Sequence, residues 1–208
     1  MPDRPYTVVS CVISVDGCLD DCSPQRLILS GPEDLDEVDE LRASVDAILV
    51  GAGTIRSDNP RLLVRSPARA AARLVRGLPE QPLRVTMTRS GALDAAARFF
   101  TGPGESLVYR GDDLSLEAVL LSLAERSVAS VLIEGGSAIL ASALADGLTD
   151  EMRLAVAPFF VGEPLAPRFG LPGSYPYTLA SPMRLTAARQ VGEVAVLHYR
   201  LTDRERPF

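Results

Sequence analysis

The chain has 208 residues, of which 47% are hydrophobic and 23% charged, and a formal net charge of −6. These proportions are typical of globular proteins and exclude a disordered, collagen-like or coiled-coil chain. The acidic balance argues against a general binder of nucleic acids or anionic membranes, although it leaves room for one local basic pocket. The length suits one continuous core, so we predict a single domain over residues 1–208.

Two observations concern location and metal binding. No apolar run approaches the roughly 20 residues of a membrane span, and Met1–Pro5 lacks the layout of a signal peptide. The three cysteines, at positions 11, 18 and 22, are odd in number and suggest no disulfide framework. The single histidine, His198, is expected to be structural, which leaves the thiols without partners for a zinc site. We predict a cytoplasmic protein with no bound metal.

Strand-like and helix-like segments alternate through the first three quarters of the chain. Apolar, β-branched runs predict strands at 6–15, 47–50, 83–88, 106–109 and 131–133. A helix is expected to begin near Ser30, a capping residue that is followed by Pro32 and two acids suited to a first turn. Amphipathic spacing predicts further helices over 116–128 and after Ser137.

The last quarter has a different pattern. Strands are predicted at 152–157, 183–189 and 194–201 with no helix between them, and residues 158–182 form a long Gly/Pro-rich connection. Strand–helix–strand units imply parallel pairing with right-handed crossovers. We therefore predict an α/β fold with a mixed, mostly parallel sheet, helices on both faces and an antiparallel C-terminal edge.

Two predicted strands end in glycine-rich turns, at 51–54 and at 134–137. Ligands bind outside the carboxyl ends of strands in open α/β sheets, and the second turn opens directly into a helix whose N–H groups suit a phosphate. Neither turn fits the dinucleotide-binding motif GxGxxG; in the first turn, Arg56 occupies the third glycine position. The P-loop motif GxxxxGK[ST] does not occur in the sequence. Either turn alone is as readily an ordinary tight turn, but together they favour a nucleotide or phosphorylated ligand.

Charged residues near these turns are the candidates for chemistry. Arg61 and Arg65 follow the first turn and are candidate phosphate ligands, whereas Arg69, Arg73 and Arg76 are expected on a solvated helix face. Three acids follow strand-like runs, namely Asp16, Asp58 and Glu134. Asp16 serves equally well as a turn residue, while Glu134 ends an apolar strand, where burial without a partner is costly, and is expected to face a ligand.

Several segments, taken together and in order, resemble one family. They are 12–17 (VISVDG), 41–42 (LR), 46–65 (DAILVGAGTIRSDNPRLLVR), 132–137 (LIEGGS) and 157–158 (AP). The chain resembles, over nearly its whole length, the reductase domain of the bifunctional riboflavin-biosynthesis deaminase/reductase, a family with a dihydrofolate-reductase-like three-layer fold. The deaminase zinc signature, H-x-E with P-C-x-x-C, is missing from the sequence, so a stand-alone reductase is expected.

The resemblance implies an NADPH-dependent enzyme that reduces the ribosyl group of 5-amino-6-(5-phosphoribosylamino)uracil to ribityl, through an open-chain imine. The candidate catalytic acids are Asp58 and Glu134, one of which, directly or through a bound water, is expected to handle the proton for the ring oxygen or the imine. The implied substrate-binding residues are Arg42, Leu62, Arg65 and Glu134, with Arg42 and Arg65 expected to hold the substrate phosphate. The predicted cofactor-binding residues are Ile13, Gly51, Gly53, Thr54, Asp58, Arg89, Gly135, Gly136, Ser137, Ala138, Ile139 and Leu140, of which Arg89 is not a feature of the family.

Three features depart from the family pattern: Cys18 replaces a common basic residue, residues 25–28 lack a polar-aromatic pair, and Arg89 replaces a small polar residue. Arg89 either contacts the cofactor 2′-phosphate or is an exposed strand-end arginine. Alternative functions are a dihydrofolate- or pterin-type or secondary-metabolite reductase on the same fold, and a non-catalytic NADPH-binding module. The helix-free C-terminal edge would be exposed in a monomer, so a homodimer is expected.

Overall fold

The computed structural model describes residues 3–207 except residues 24 and 26. The described residues contain eight strands: β1 (Tyr6–Ser14), β2 (Ala47–Gly51), β3 (Leu83–Thr88), β4 (Ser106–Arg110), β5 (Ser130–Gly135), β6 (Glu151–Ala157), β7 (Arg184–Val191) and β8 (Val194–Arg200). They also contain six helices: α1 (Pro32–Ser44), α2 (Ala52–Asp58), α3 (Pro67–Val75), α4 (Arg98–Thr101), α5 (Leu116–Glu125) and α6 (Ser137–Ala145).

These strands join one sheet in the order β4-β3-β2-β5-β1-β6-β8-β7. The first six pair in parallel, and β8 and β7 then add antiparallel to β6 and to each other. Helical crossovers connect most of the parallel strands. The C-terminal strands β7 and β8 form a hairpin, because two strands joined by a short turn without a helix can only pair antiparallel. The predicted mixed sheet with an antiparallel C-terminal edge is therefore confirmed.

The two faces of the sheet bury separate apolar clusters. Leu49 and Ile133 pack in the cluster that contains Leu120 of α5 and Leu140 of α6. Their sequence neighbours Ile48 and Leu132 point to the opposite face, where the cluster includes Ile55 of α2 and Phe99 of α4. Because strand side chains alternate between faces, continuous apolar strands need cover on both sides. The prediction of helices on both faces is confirmed.

Several details differ from the sequence predictions. The first strand ends at Ser14, and the helix predicted to reach residue 128 ends at Glu125. The residue before α1 is Gly31, and no side chain caps this helix, so Ser30 is not the expected cap. Helices α2 and α4 were not predicted, because both are short and depend on burying Ile55 and Phe99 rather than on a long amphipathic pattern.

Arg73 corrects the prediction of a solvated helix face. Its side chain is 1% exposed, and its guanidinium donates hydrogen bonds to the carbonyl oxygens of Ala43, Val45 and Pro79. Helix α3 packs on α1 through Ala70, which turns this side of the helix inward. Burial lowers the pKa of Arg73, since only neutral carbonyl oxygens accept its hydrogen bonds.

Membrane-spanning helices and metal-binding clusters are absent from the described residues. No helix there is long and apolar enough to cross a membrane. No group of three or more His, Cys, Asp and Glu side chains within the same residues could hold a metal ion.

Candidate functional site

Three clefts meet at the carboxyl ends of the central strands. The central cleft, about 450 Å³, is bounded by the two glycine turns and by residues 27–30. The arginine cleft, about 520 Å³, lies along residues 58–65, and the helix cleft, about 760 Å³, lies beside the start of α6. The central cleft shares Thr54, Asp58 and Glu134 with the arginine cleft, and Gly53, Gly136 and Ser137 with the helix cleft. The structure thus brings both predicted turns to one place.

The two turns are packed against each other so closely that glycine is required. Gly136 has φ +91°, and a Cβ there would lie 3.2 Å from Thr54 Oγ1. A Cβ on Gly51 would lie 3.0 Å from Ile139 Cγ1. Gly136 is also the N-cap of α6, where no side chain accepts the first N–H groups. These N–H groups and the helix dipole border the helix cleft, which suits a phosphate or pyrophosphate.

Glu134 reaches the clefts because of an irregularity in β5. Leu49 pairs with Ile133 but the next residue, Val50, pairs with Gly135, so Glu134 is the extra residue of a β-bulge. A bulge re-aims a side chain and is over-represented beside active sites. Here it directs Glu134 to the wall shared by the central and arginine clefts.

Arg42 holds Glu134 in a two-point ion pair. Arg42 Nε donates to Glu134 Oε1 and Arg42 Nη2 to Glu134 Oε2, each at 2.6 Å, while Nη1 donates to the carbonyl oxygen of Leu63 at 3.2 Å. Burial alone would lower the pKa of Arg42, but the Glu134 carboxylate outweighs it and raises that pKa. Both side chains are mostly buried. The pair fixes the orientation of Glu134 and takes up most of the Arg42 fork.

Asp58, the second predicted catalytic acid, is the last residue of α2. It lines the same two clefts as Glu134, and the Ser57 hydroxyl donates a hydrogen bond to its carboxylate. The predicted pair of acids therefore borders one continuous space.

The segment from Arg61 to Ser66 has no regular structure, yet buried side chains hold its backbone. Asp39 is 2% exposed and accepts hydrogen bonds from the backbone N–H groups of Arg65 and Ser66. The Gln81 amide accepts from Val64 N at 2.8 Å and donates to Val64 O at 3.2 Å. Sequence reasoning missed both residues, because nothing local indicates that they bind a segment 17 to 27 residues away.

Other predicted site residues occupy different surroundings. Arg89 and Ala138 line the helix cleft. Arg65 and Leu62 line the arginine cleft, where the Leu62 side chain is buried and its backbone has φ +51°. The Leu140 side chain lies in the core under α6, and Ile13, within the described residues, lines none of the three clefts.

Asp16 lines none of the three clefts and instead binds the backbone of the 158–182 connection. Its carboxylate accepts hydrogen bonds from Ser14 Oγ at 2.6 Å, Gly162 N at 2.8 Å and Val161 N at 3.1 Å. The Ser14 hydroxyl first, and then these two N–H groups, lower the pKa of Asp16 well below its usual range. The turn role considered for Asp16 is the one that its contacts support, since it ties the 158–182 connection to the end of β1.

Of the three departures from the family pattern, the described part of the stretch 25–28 lies at the central cleft and Arg89 at the helix cleft. Leu27 and Ile28 line the central cleft, and Cys18 is fully buried with its Sγ 3.7 Å from an Asp16 carboxylate oxygen. Arg26, in the middle of the departing stretch, lies outside the described residues. The stretch for which the resemblance implied a polar-aromatic pair therefore contributes two apolar side chains, Leu27 and Ile28, to the central cleft.

Comparisons with known proteins support the same family throughout. A model of the RibD C-terminal domain family matches residues 5–197. The 2,5-diamino-6-ribosylamino-4(3H)-pyrimidinone 5′-phosphate reductase of Archaeoglobus fulgidus is 32% identical over 181 residues, which are 76% of this chain and 83% of that protein. The riboflavin biosynthesis protein RibD of Chlamydia pneumoniae is 28% identical over 215 residues, and the match covers 90% of this chain but 55% of that protein.

Solved structures show the same architecture. Acinetobacter baumannii RibD superposes with a TM-score of 0.78 at 23% identity, over 95% of this chain and 58% of that one. A dihydrofolate reductase from Enterococcus faecalis gives a TM-score of 0.56 at 15% identity, over 96% of this chain and 98% of that one. The predicted dihydrofolate-reductase-like fold is therefore confirmed.

Proposed function

This chain belongs to the RibD C-terminal domain family, and on that premise we propose that it is a riboflavin-pathway reductase. The proposed reaction converts the ribosyl group of a ribosylaminopyrimidine 5′-phosphate into ribityl, as the names of its relatives indicate for those proteins. One observation carries the proposal beyond the family: an arginine-lined cleft and a helix-terminus cleft open into the same central space beside Glu134 and Asp58.

The helix cleft fits a nicotinamide dinucleotide, and we propose NADPH. Gly136 allows the backbone to approach a ligand where a Cβ would meet Thr54, and the uncapped start of α6 offers N–H groups to a pyrophosphate. Arg56 and Arg89 line the far part of this cleft and would meet a 2′-phosphate. When bound, the cofactor supplies the hydride, and the chain supplies binding, orientation and proton handling.

The arginine cleft would hold the substrate phosphate and so bring the sugar toward the central cleft. Arg65 is half-exposed at this cleft, and the buried Leu62 forms part of its floor. Glu134, locked by Arg42, and Asp58 are the acids placed to hold or move the proton that the ring oxygen or imine requires. Positioning by fixed groups is the main contribution available to such a site.

The test is the oxidation of NADPH with two substrates, the 5-amino-6-(5-phosphoribosylamino)uracil and its 2,5-diamino-pyrimidinone analogue. Turnover with either supports the proposal, and the ratio of kcat/KM identifies the preferred base. Turnover only with dihydrofolate or a pterin would replace it with the alternative dihydrofolate- or pterin-type reductase. If the chain bound NADPH but turned over none of these compounds, the result would support a non-catalytic NADPH-binding module instead.

Arg89 is expected to select NADPH over NADH. The Arg89→Ala variant should raise the KM for NADPH by about 10-fold and leave the KM for NADH nearly unchanged, because only NADPH carries the 2′-phosphate that pairs with a guanidinium. Arg126→Ala is the matched control, since Arg126 pairs with Glu105 at the surface, away from the helix cleft. Equal KM changes for both cofactors would remove Arg89 from this role.

We also propose a homodimer that works in the cytoplasm. Seven of the eight residues of the edge strand β7 are exposed, including Leu185 at 52%, and a bare strand edge invites pairing with a second copy. Light scattering is expected to give twice the chain mass of 22.2 kDa. A single 22.2 kDa species at micromolar concentration would contradict the dimer.

A further inference from the structure

More arginine than acidic side chains line the arginine cleft. Four arginines and two acids line it, namely Arg42, Arg61, Arg65, Arg98, Asp58 and Glu134. The excess is 4 − 2 = +2 in a chain of net charge −6, so the cleft is a local feature and not a consequence of overall composition. A concave site in which one sign of charge is in excess attracts ligands of the opposite sign.

The four guanidinium groups differ in how far they are already occupied. Arg42 uses Nε and Nη2 on Glu134 and Nη1 on the Leu63 carbonyl. Arg65 lies 3.5 Å from an Asp39 oxygen and donates to the Leu35 carbonyl. By contrast, across the residues that the structure describes, neither Arg61 nor Arg98 makes a side-chain hydrogen bond or ion pair. These two have their full set of donors available for a ligand.

Arg98 is held at the cleft by its backbone. Its N–H donates a 2.7 Å hydrogen bond to Oδ1 of Asn59, which ends α2 in the left-handed region at φ +44°. The following residue, Phe99, is fully buried and packs edge-to-face against Phe100 at a centroid distance of 5.0 Å. The start of α4 is therefore fixed on both sides, while the Arg98 side chain remains exposed toward the cleft.

We propose that Arg98 is a specificity-determining residue that binds the 5′-phosphate of the substrate, together with Arg61 and Arg65. A phosphate monoester carries a charge of about −1.5 to −2 at pH 7 and presents oxygens that match the guanidinium fork. This charge balances the excess of +2 in the cleft. The inference rests on the proposed function for the identity of the substrate, although the phosphate site itself can be tested without turnover.

The first measurement is calorimetric binding of ribose 5-phosphate, with ribose as the unphosphorylated comparison. Arg98→Ala is expected to weaken ribose 5-phosphate binding by about 10- to 100-fold, the usual range for one charge-assisted contact to phosphate. Arg98→Lys, which keeps the charge but not the fork, should give an intermediate loss. Arg126→Ala should bind as the wild type does, because Arg126 lies outside the arginine cleft.

The second measurement is the KM and kcat of the same variants with the ribosylaminopyrimidine phosphate. We expect Arg98→Ala to raise KM by the factor seen in binding and to change kcat by less than about 3-fold, since a ground-state phosphate contact is made equally in the transition state. Unchanged ribose 5-phosphate binding by Arg98→Ala, in a protein with wild-type circular dichroism, would overturn the inference. A wild type that binds ribose 5-phosphate through Arg98 but reduces no pyrimidine would instead overturn the proposed function.

Discussion

Replacing Glu134 with glutamine is expected to lower kcat of the pyrimidine reduction by about 10²- to 10⁴-fold, the range for loss of a positioned acid or base. Both Glu134 oxygens accept hydrogen bonds from Arg42, so an amide would set one NH₂ group against a guanidinium donor. The variant also removes the group that we place nearest to the proton step. Steady-state kinetics and the Kd for NADPH, measured on the same preparation, separate chemistry from cofactor binding.

Asp58→Asn is the comparison within the same cleft. We expect it to lower kcat less than Glu134→Gln does, because the two-point pair with Arg42 fixes Glu134 on the wall shared by the central and arginine clefts. Near-normal kcat in both variants would contradict a proton role for either acid. A larger loss in Asp58→Asn would transfer that role to Asp58.

Arg42→Met tests the ion pair itself. Leaving the mostly buried Glu134 carboxylate without its partner should cost about 3 kcal/mol of unfolding free energy, at the lower end of the range for a broken buried pair because some solvent reaches both side chains. The double variant Arg42→Met/Glu134→Gln should recover part of this loss. Additive losses in the double variant would mean that the two side chains are not energetically coupled.

The largest effect on stability is expected from Asp150, which joins the two ends of the chain. Its fully buried carboxylate accepts hydrogen bonds from Arg4 at 2.6 and 3.0 Å, from Thr7 N at 2.8 Å and from Thr202 Oγ1 at 2.7 Å, and it also pairs with Arg204 at 3.2 Å. Asp150→Ala should lower the free energy of unfolding by about 3–5 kcal/mol, because it leaves several buried donors unpaired.

This loss corresponds to a fall in Tm of roughly 6–20 °C for a domain of this size. Asp36→Ala is the matched control, since Asp36 is 68% exposed and pairs with Arg69 at the surface, where such a pair contributes less than about 1 kcal/mol. If Tm fell no more in Asp150→Ala than in Asp36→Ala, Asp150 would not stabilise the fold by joining the two ends of the chain.

The same carboxylate makes stability depend on pH. Burial alone would raise the pKa of Asp150, but hydrogen bonds from Arg4, Thr7 and Thr202 outweigh it, so that its pKa in the folded protein is lowered. A group with a depressed folded pKa stabilises the protein fully above its unfolded value of about 3.9, and this contribution is lost as the pH falls through the folded value. Below pH 4, the free energy of unfolding measured in urea should therefore fall less steeply with decreasing pH in Asp150→Asn than in the wild type.

Much of the fold could be predicted from local sequence. The continuous apolar runs at 47–50 and 131–133 become buried central strands, since only a strand covered on both faces tolerates such a pattern. The glycine turns also lie where they were predicted, and the positive φ of Gly136 gives the physical reason for one of them. That Glu134 faces a ligand stays a prediction, made because a carboxylate at the end of an apolar strand needs a partner.

The strands, the longer helices, the two turns and the acid beside them could thus be predicted from the sequence, because the spacing of apolar residues and the residue preferences of turns are local properties. Which charged side chains meet depends on the tertiary structure. Arg42 faces a carboxylate 92 residues away, the β-bulge aims Glu134 toward it, and Arg73 becomes buried when α3 packs on α1. Likewise, Arg98 lies at the arginine cleft, where its backbone N–H donates a hydrogen bond to the side chain of Asn59. Such pairings depend on strand order and crossover geometry, which no local pattern of residues encodes.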